Sequence, residues 1–187
     1  KYVLCDCTGY RLDGTDTEPN MYVGIIINRS LADTTDSVTG LGDIHALVNA
    51  IGEMRRVARK AGLIAIKIDD IAQVNARFGF DAGDRVLAES AACLMDCSRG
   101  KGRLFRSTGP TFVTLFDELG PEAIDELANE IERFLGSPVL IGSLEYQPPI
   151  RVATLHLNSV DRQPVSILNE LKALLGKAVQ VPGTKLD

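Results

Sequence analysis

Positive charge is in short supply in this sequence, whose formal net charge is −5. That balance argues against nucleic acid or an anionic membrane surface as the main partner. No apolar run approaches the roughly 20 residues that cross a bilayer, so no direct membrane insertion is expected. No signal-peptide pattern opens the chain, and Lys1 stands where an initiator Met would, so a piece of a longer protein is expected. Glycine loops of the GxGxxG or Walker type are missing, which speaks against a doubly wound dinucleotide fold. Histidine occurs only twice, and His45 and His156 sit within helical and strand patterns without a visible catalytic partner. The four cysteines fall as Cys5-x-Cys7 and Cys93-x3-Cys97. Neither pair has zinc-knuckle spacing, and no histidine lies at a matching offset. Cys93 and Cys97, one helical turn apart, are expected to pack as small apolar groups, as reduced thiols of a cytoplasmic domain. Internal repeats and low-complexity tracts are also absent.

What remains is material for a proper core. Hydrophobic residues make up 45% of the 187 positions and charged residues 24%, so the chain is expected to fold, as one good-sized domain plus a fragment or a very small second unit. YVLCDCTGYRL and MYVGIIINR read as two strands around the turn-rich DGTDTEPN. A lone hairpin is marginal, so these strands are expected to complete a sheet begun elsewhere. Residues 30–38 form a polar connector. Ile44, Leu47, Val48, Ile51, Met54 and Val57 then recur at helical spacing, predicting an amphipathic helix over 43–60.

LIAIKI (63–68) is a buried-strand run interrupted only by Lys67. A short helix over 70–78 should end at Gly79, and Asp81 is a plausible N-cap for a second. Asp69 and Asp70 sit where strand becomes helix, and one of them is expected to cap it. GRLFR and TFVTLF form a hairpin turning at Ser107–Pro110. Pro121 opens a further helix, 149–157 is a strand, and Pro164 leads into a last helix. A mixed order with an internal hairpin gives an α+β fold, a sandwich around a mostly antiparallel sheet flanked by helices.

Three motifs carry a resemblance. DSVTGLGDI (36–44) is similar to D-x-L-T-G-L-x-N-R, and IDDIAQVNARFGFDAGDRVL (68–87) to I-D-x-F-K-x-I-N-D-x-Y-G-H-x-x-G-D-x-x-L. RSTGPTF (106–112) stands where R-Y-G-G-D/E-E-F belongs. Together, in order and at family-like spacing over about residues 36–180, they resemble the GGDEF domains, the diguanylate cyclases. The resemblance implies a nucleotidyl-cyclase/ferredoxin-like sandwich over 39–187, after a linker at 31–38. The opening hairpin, residues 1–30, resembles the closing strands of a PAS sensor domain.

That family condenses two GTP into cyclic di-GMP across a dimer, with Mg²⁺ held by a strand Asp and an acidic residue of the signature turn. Carried over, the strand Asp falls on Lys67 and the two acidic turn positions fall on Pro110 and Thr111, while Thr108 replaces the first glycine. No catalytic carboxylate and no metal ligand is therefore expected, and Mg²⁺ is implied only if the chain were a working cyclase. The family's guanine-reading Asn and Asp fall on Asn75 and Asp84, both retained. An amide and a carboxylate suit guanine, whose O6 accepts while N1–H and N2–H₂ donate. The plainer readings are a polar residue near a helix end and a first-turn carboxylate favoured by the helix dipole. Lys67, with Gly109 nearby, could meet phosphate as a point charge, or Lys67 could merely snorkel from a strand end. Of the family's inhibitory R-x-x-D, Arg99 remains and Gly102 replaces the acid. Lys177 or Lys185 are candidates for the phosphate-holding cations near the last helix. The expectation is a degenerate regulatory domain that binds GTP or a related guanine nucleotide, or a partner. The alternatives are a dimerisation or interaction module with an empty site, and an active cyclase.

Overall fold

A computed structural model describes residues 5–12, 21–28, 34–57, 61–98, 100–135, 138–157 and 162–186. The chain divides into two compact units, Lys1–Thr34 and Thr35–Asp187. In the first, β1 (Cys5–Leu12) and β2 (Met21–Asn28) pair antiparallel from Cys5↔Asn28 to Leu12↔Met21.

The second unit follows the order α1 (Ile44–Val57), β3 (Ala61–Ile68), α2 (Ile71–Phe78), α3 (Phe80–Ser98), β4 (Arg103–Arg106), β5 (Thr111–Asp117) and α4 (Pro121–Phe134). It continues with β6 (Val139–Ile141), β7 (Leu144–Tyr146), β8 (Ile150–Leu157), α5 (Pro164–Lys177) and β9 (Gln180–Val181). Five strands form one sheet in the order β4-β5-β3-β8-β9, every ladder antiparallel. β6 and β7 make a separate small hairpin. The expected α+β sandwich is the observed architecture.

β3 is the sheet's axis, and its alternation divides the core. Ile64, Ile66 and Ile68 pack with Val74, Val86, Leu94, Phe112 and Ile131 against α2, α3 and α4. Leu63 and Ala65 pack with Leu47, Ile51, Leu115, Ile167 and Leu171 against α1 and α5. Covered on both faces, the strand reads as a continuous apolar run rather than an alternating one. Lys67 shares the parity of Leu63 and Ala65, so its side chain rises on the α1/α5 face.

Asp43 sets the start of α1: its Oδ1 accepts the N–H groups of His45 at 2.8 Å and Ala46 at 3.0 Å. Asp43→Ala should cost about 1 kcal/mol, read as a lowered urea midpoint with unchanged slope.

Two boundaries differ from expectation. α3 begins at Phe80, so Asp81 lies inside the first turn instead of capping it. Asp70 occupies the cap position of α2 without a side-chain capping bond, its φ at 61° in the left-handed region. The short strands β6, β7 and β9 had no counterpart in the sequence reading. At the far end, Thr184 N–H donates to the Gln147 carbonyl at 2.8 Å, and Thr184 Oγ1 accepts from Gln147 N–H at 3.0 Å. A Cβ at Gly183 would stand 2.2 Å from that same carbonyl oxygen, so only glycine lets the tail lie down there.

Candidate functional site

The sheet register brings two of the positions singled out in sequence, Lys67 and Thr111, into one row. Lys67 pairs with Thr111 on one side and Arg151 on the other, and Arg151 pairs with Gln180. The row therefore crosses β5, β3, β8 and β9 on the α1/α5 face. The ladder reaches into the turn, where the Pro110 carbonyl accepts Ile68 N–H at 3.0 Å.

Asp69 holds the row together and is itself 7% exposed. Lys67 Nζ lies 2.7 Å from its Oδ1, while Arg151 Nε at 2.8 Å and Gln180 Nε2 at 2.7 Å share Oδ2. Burial pushes this carboxyl up, but the bonds from Lys67, Arg151 and Gln180 outweigh it and hold it below its ordinary value. Asp69 is thus no helix cap, and both of its oxygens are taken. Nor does Lys67 simply snorkel: it is anchored by a buried carboxylate while 43% of its side chain stays exposed. Among the described residues, no group of three or more His, Cys, Asp or Glu could hold a metal ion.

The signature turn is tied to the first motif by Arg106. Its Nη1 donates to Asp36 Oδ1 at 2.8 Å and its Nε to the Gly109 carbonyl at 2.9 Å. Gly109, at φ 55°, forms the tip of the turn. Asp36 also accepts from Thr39 N–H and Oγ1 at 2.9 and 2.8 Å. Burial raises the Asp36 carboxyl, and the Arg106 and Thr39 bonds carry it below its usual range. Asp36, in the stretch read as connector, is therefore part of the larger unit.

Asn75 and Asp84 lie where α2 meets α3, on the opposite side of the sheet from Lys67. A Cβ at Gly83, the residue before Asp84, would sit 1.9 Å from Asn75 Oδ1. That oxygen is buried and has no hydrogen-bond partner, leaving the amide nitrogen as the atom with solvent access. Asp84 is exposed. A ligand touching Asn75 and Lys67 together would have to pass over the C-terminal end of β3.

The other candidates fall elsewhere. Arg99 lies outside the described residues. Lys177 is exposed at the end of α5, and the cation that faces Lys67 across the α1/α5 face is instead Lys172. His156 does have a partner, Asp125 Oδ1 at 3.2 Å from its Nε2. Cys93 and Cys97 are free thiols on α3, and burial pushes the Cys97 thiol up to about 12.

The sequence model of the family described as "Diguanylate cyclase, GGDEF domain" matches residues 33–172. The chain belongs to the GGDEF family. Among curated proteins, this GGDEF domain is 29% identical over 113 residues to the cyclic di-GMP phosphodiesterase PdeR of Escherichia coli strain K12. That match covers 59% of this chain and only 17% of PdeR. Two solved structures from Pseudomonas aeruginosa share its fold. The FimX GGDEF domain superposes with a TM-score of 0.73 at 16% identity, over 79% of this chain and 94% of that one. Diguanylate cyclase SiaD, solved with its activator SiaC, gives 0.72 at 21% identity, over 78% and 58% of the two chains. At such identities the likeness is one of fold alone.

Proposed function

We propose that this GGDEF domain serves cyclic di-GMP signalling as a regulatory module that binds guanine nucleotide without cyclising it. The observation that carries the reading is the state of the family's metal positions. An ammonium occupies the strand position, a proline and a threonine occupy the turn, and Asp69, the carboxylate paired with that ammonium, has both oxygens engaged. These donors do not fit Mg²⁺, which takes hard oxygens in near-octahedral array.

The base-reading side supports retention of the nucleotide. An unpartnered buried acyl oxygen costs about 1–3 kcal/mol, and such strain is kept mainly where a site needs it. With Oδ1 turned in against Gly83, Asn75 offers its N–H₂ outward to guanine O6. Asp84, exposed beside it, can accept from N1–H and N2–H₂. Lys67 would then meet phosphate as a point charge, at the cost of loosening its hold on Asp69. Upstream, the β1–β2 hairpin fits the end of a PAS-like sensor, since a two-stranded sheet of this kind is marginal by itself. Output to a partner protein or a second protomer completes the reading.

Calorimetry with GTP tests it. Binding should be the same with and without Mg²⁺, and Asp84→Ala should weaken it about tenfold or more. Asn75→Ala should weaken it similarly while leaving stability within about 1 kcal/mol, because the orphaned acceptor leaves with the side chain. No heat at millimolar GTP would instead assign the domain to interaction alone.

A further inference from the structure

A sizeable recess lies away from where guanine would sit. A cavity of about 670 Å³ opens between α1 and α5 above β3, β5 and β8. That volume lies within the roughly 300–1,000 Å³ typical of small-molecule sites. Its walls are aliphatic: Ile44 and Val48 from α1, Val113 from the sheet, Leu168, Leu171 and Leu175 from α5.

The charges on its lining are all of one sign. Lys67 and Arg151 stand at the sheet end, and Lys172 on α5. Among the described residues, the only carboxylate engaging them is Asp69, which pairs with Lys67 and Arg151, and none pairs with Lys172. Three cations against one acid is a local excess of positive charge in a chain whose net charge is −5. Beside Lys67, the hydroxyl residues Ser107, Thr108 and Thr111 complete a polar end. The aliphatic walls of the trough are a poor match for a ribose. With its cationic, hydroxyl-bearing end, the trough matches a molecule that is apolar along its length and anionic at one tip.

We propose that this cavity is a second binding site, taking an amphipathic anion: a medium-chain acyl or alkyl group headed by a carboxylate or a phosphate. The head lies between Lys67 and Lys172 within reach of the turn hydroxyls, and the chain lies between α1 and α5. The proposal goes beyond nucleotide binding and needs neither Asn75 nor Asp84, although its head group shares Lys67 with the nucleotide phosphate placed there above, so the two ligands should compete at that residue.

Titration calorimetry on the whole chain tests it with octanoate, octyl phosphate and 1-octanol as probes. One octanoate or octyl phosphate should bind per chain, and the tighter of the two identifies the head group. Octanol should bind at least about tenfold more weakly, the usual order for losing a charge-assisted contact. Lys172→Met changes an exposed helix residue and should weaken octanoate about tenfold, as should Lys67→Met. Val48→Asp places a carboxylate in the trough and should abolish binding, whereas Asn75→Ala should leave octanoate unaffected and weaken GTP about tenfold. Circular dichroism checks that each variant is folded. Equal affinity for octanol and octanoate, or octanoate binding unchanged in both lysine variants, would overturn the proposal. So would silence at millimolar octanoate, or a dimer in sedimentation that Val48→Asp dissociates, since a second copy would then own the groove.

Discussion

Incubated with GTP and Mg²⁺, this protein should yield no cyclic di-GMP above background. Each preorganised group that stabilises transition-state charge is commonly worth about 10²–10³ in rate. Losing both carboxylate positions should therefore leave turnover at least about 10⁴-fold below that of a domain that keeps them. Lys67 makes the loss worse than a simple deletion. An ammonium about 4 Å from a dication is repelled by about 8 kcal/mol at an effective dielectric of 20. Lys67→Asp combined with Pro110→Glu removes that repulsion and returns a carboxylate to each side. The double variant should bind GTP in a Mg²⁺-dependent manner where the parent does not. Cyclic di-GMP in the parent reaction, followed by chromatography with labelled GTP, would overturn the regulatory reading.

The second large effect is on stability. Asp69→Asn should destabilise the domain by about 3 kcal/mol, the lower end for breaking a buried pair, because Lys67 and Arg151 are partly solvated. In a domain of this size that lowers the melting temperature by roughly 6–12 °C. The substitution removes the charge that three donors from β3, β8 and β9 share and turns one of its two acceptor oxygens into a donor. The pH dependence follows from the sign of the shift. The folded Asp69 carboxyl is held below its ordinary value of 3.8. Its contribution is therefore complete above that value and is lost as pH falls through the lower, folded one. Asp36, shifted in the same direction, adds to this. Urea midpoints should fall below about pH 4 in the parent, and less steeply in Asp69→Asn. A flat profile shared by both proteins would remove Asp69 from its central place.

Much of the fold was legible because it rests on local periodicity. The 3.6-residue recurrence from Ile44 to Val57, the prolines at 121 and 164 and the unbroken apolar run of β3 each mark an element by neighbouring residues alone. β6, β7 and β9 span only two or three residues each, too short for a period of two to show. The site was legible in part. Lys67, Pro110 and Thr111 declared themselves by standing in a recognisable frame, and the register does set Lys67 beside Thr111. Asp69 was not told apart from Asp70 as a helix cap because, besides Lys67, its partners Arg151 and Gln180 lie 82 and 111 residues away. No local pattern records such a meeting. Lys172 escaped notice for the same reason, since helical spacing shows which face it shares but not what stands opposite.

The Asp36–Arg106 contact has a mechanical consequence. Asp36 is the second residue of the larger unit, which starts at Thr35, and it grips the arginine that also braces the tip of RSTGPTF through Gly109. A tug on the chain ahead of Thr35 would thus load the signature turn within two residues, together with β4, which the Thr35–Gly42 and Gly42–Phe105 bridges reach. Arg106 is the handle through which that pull would arrive.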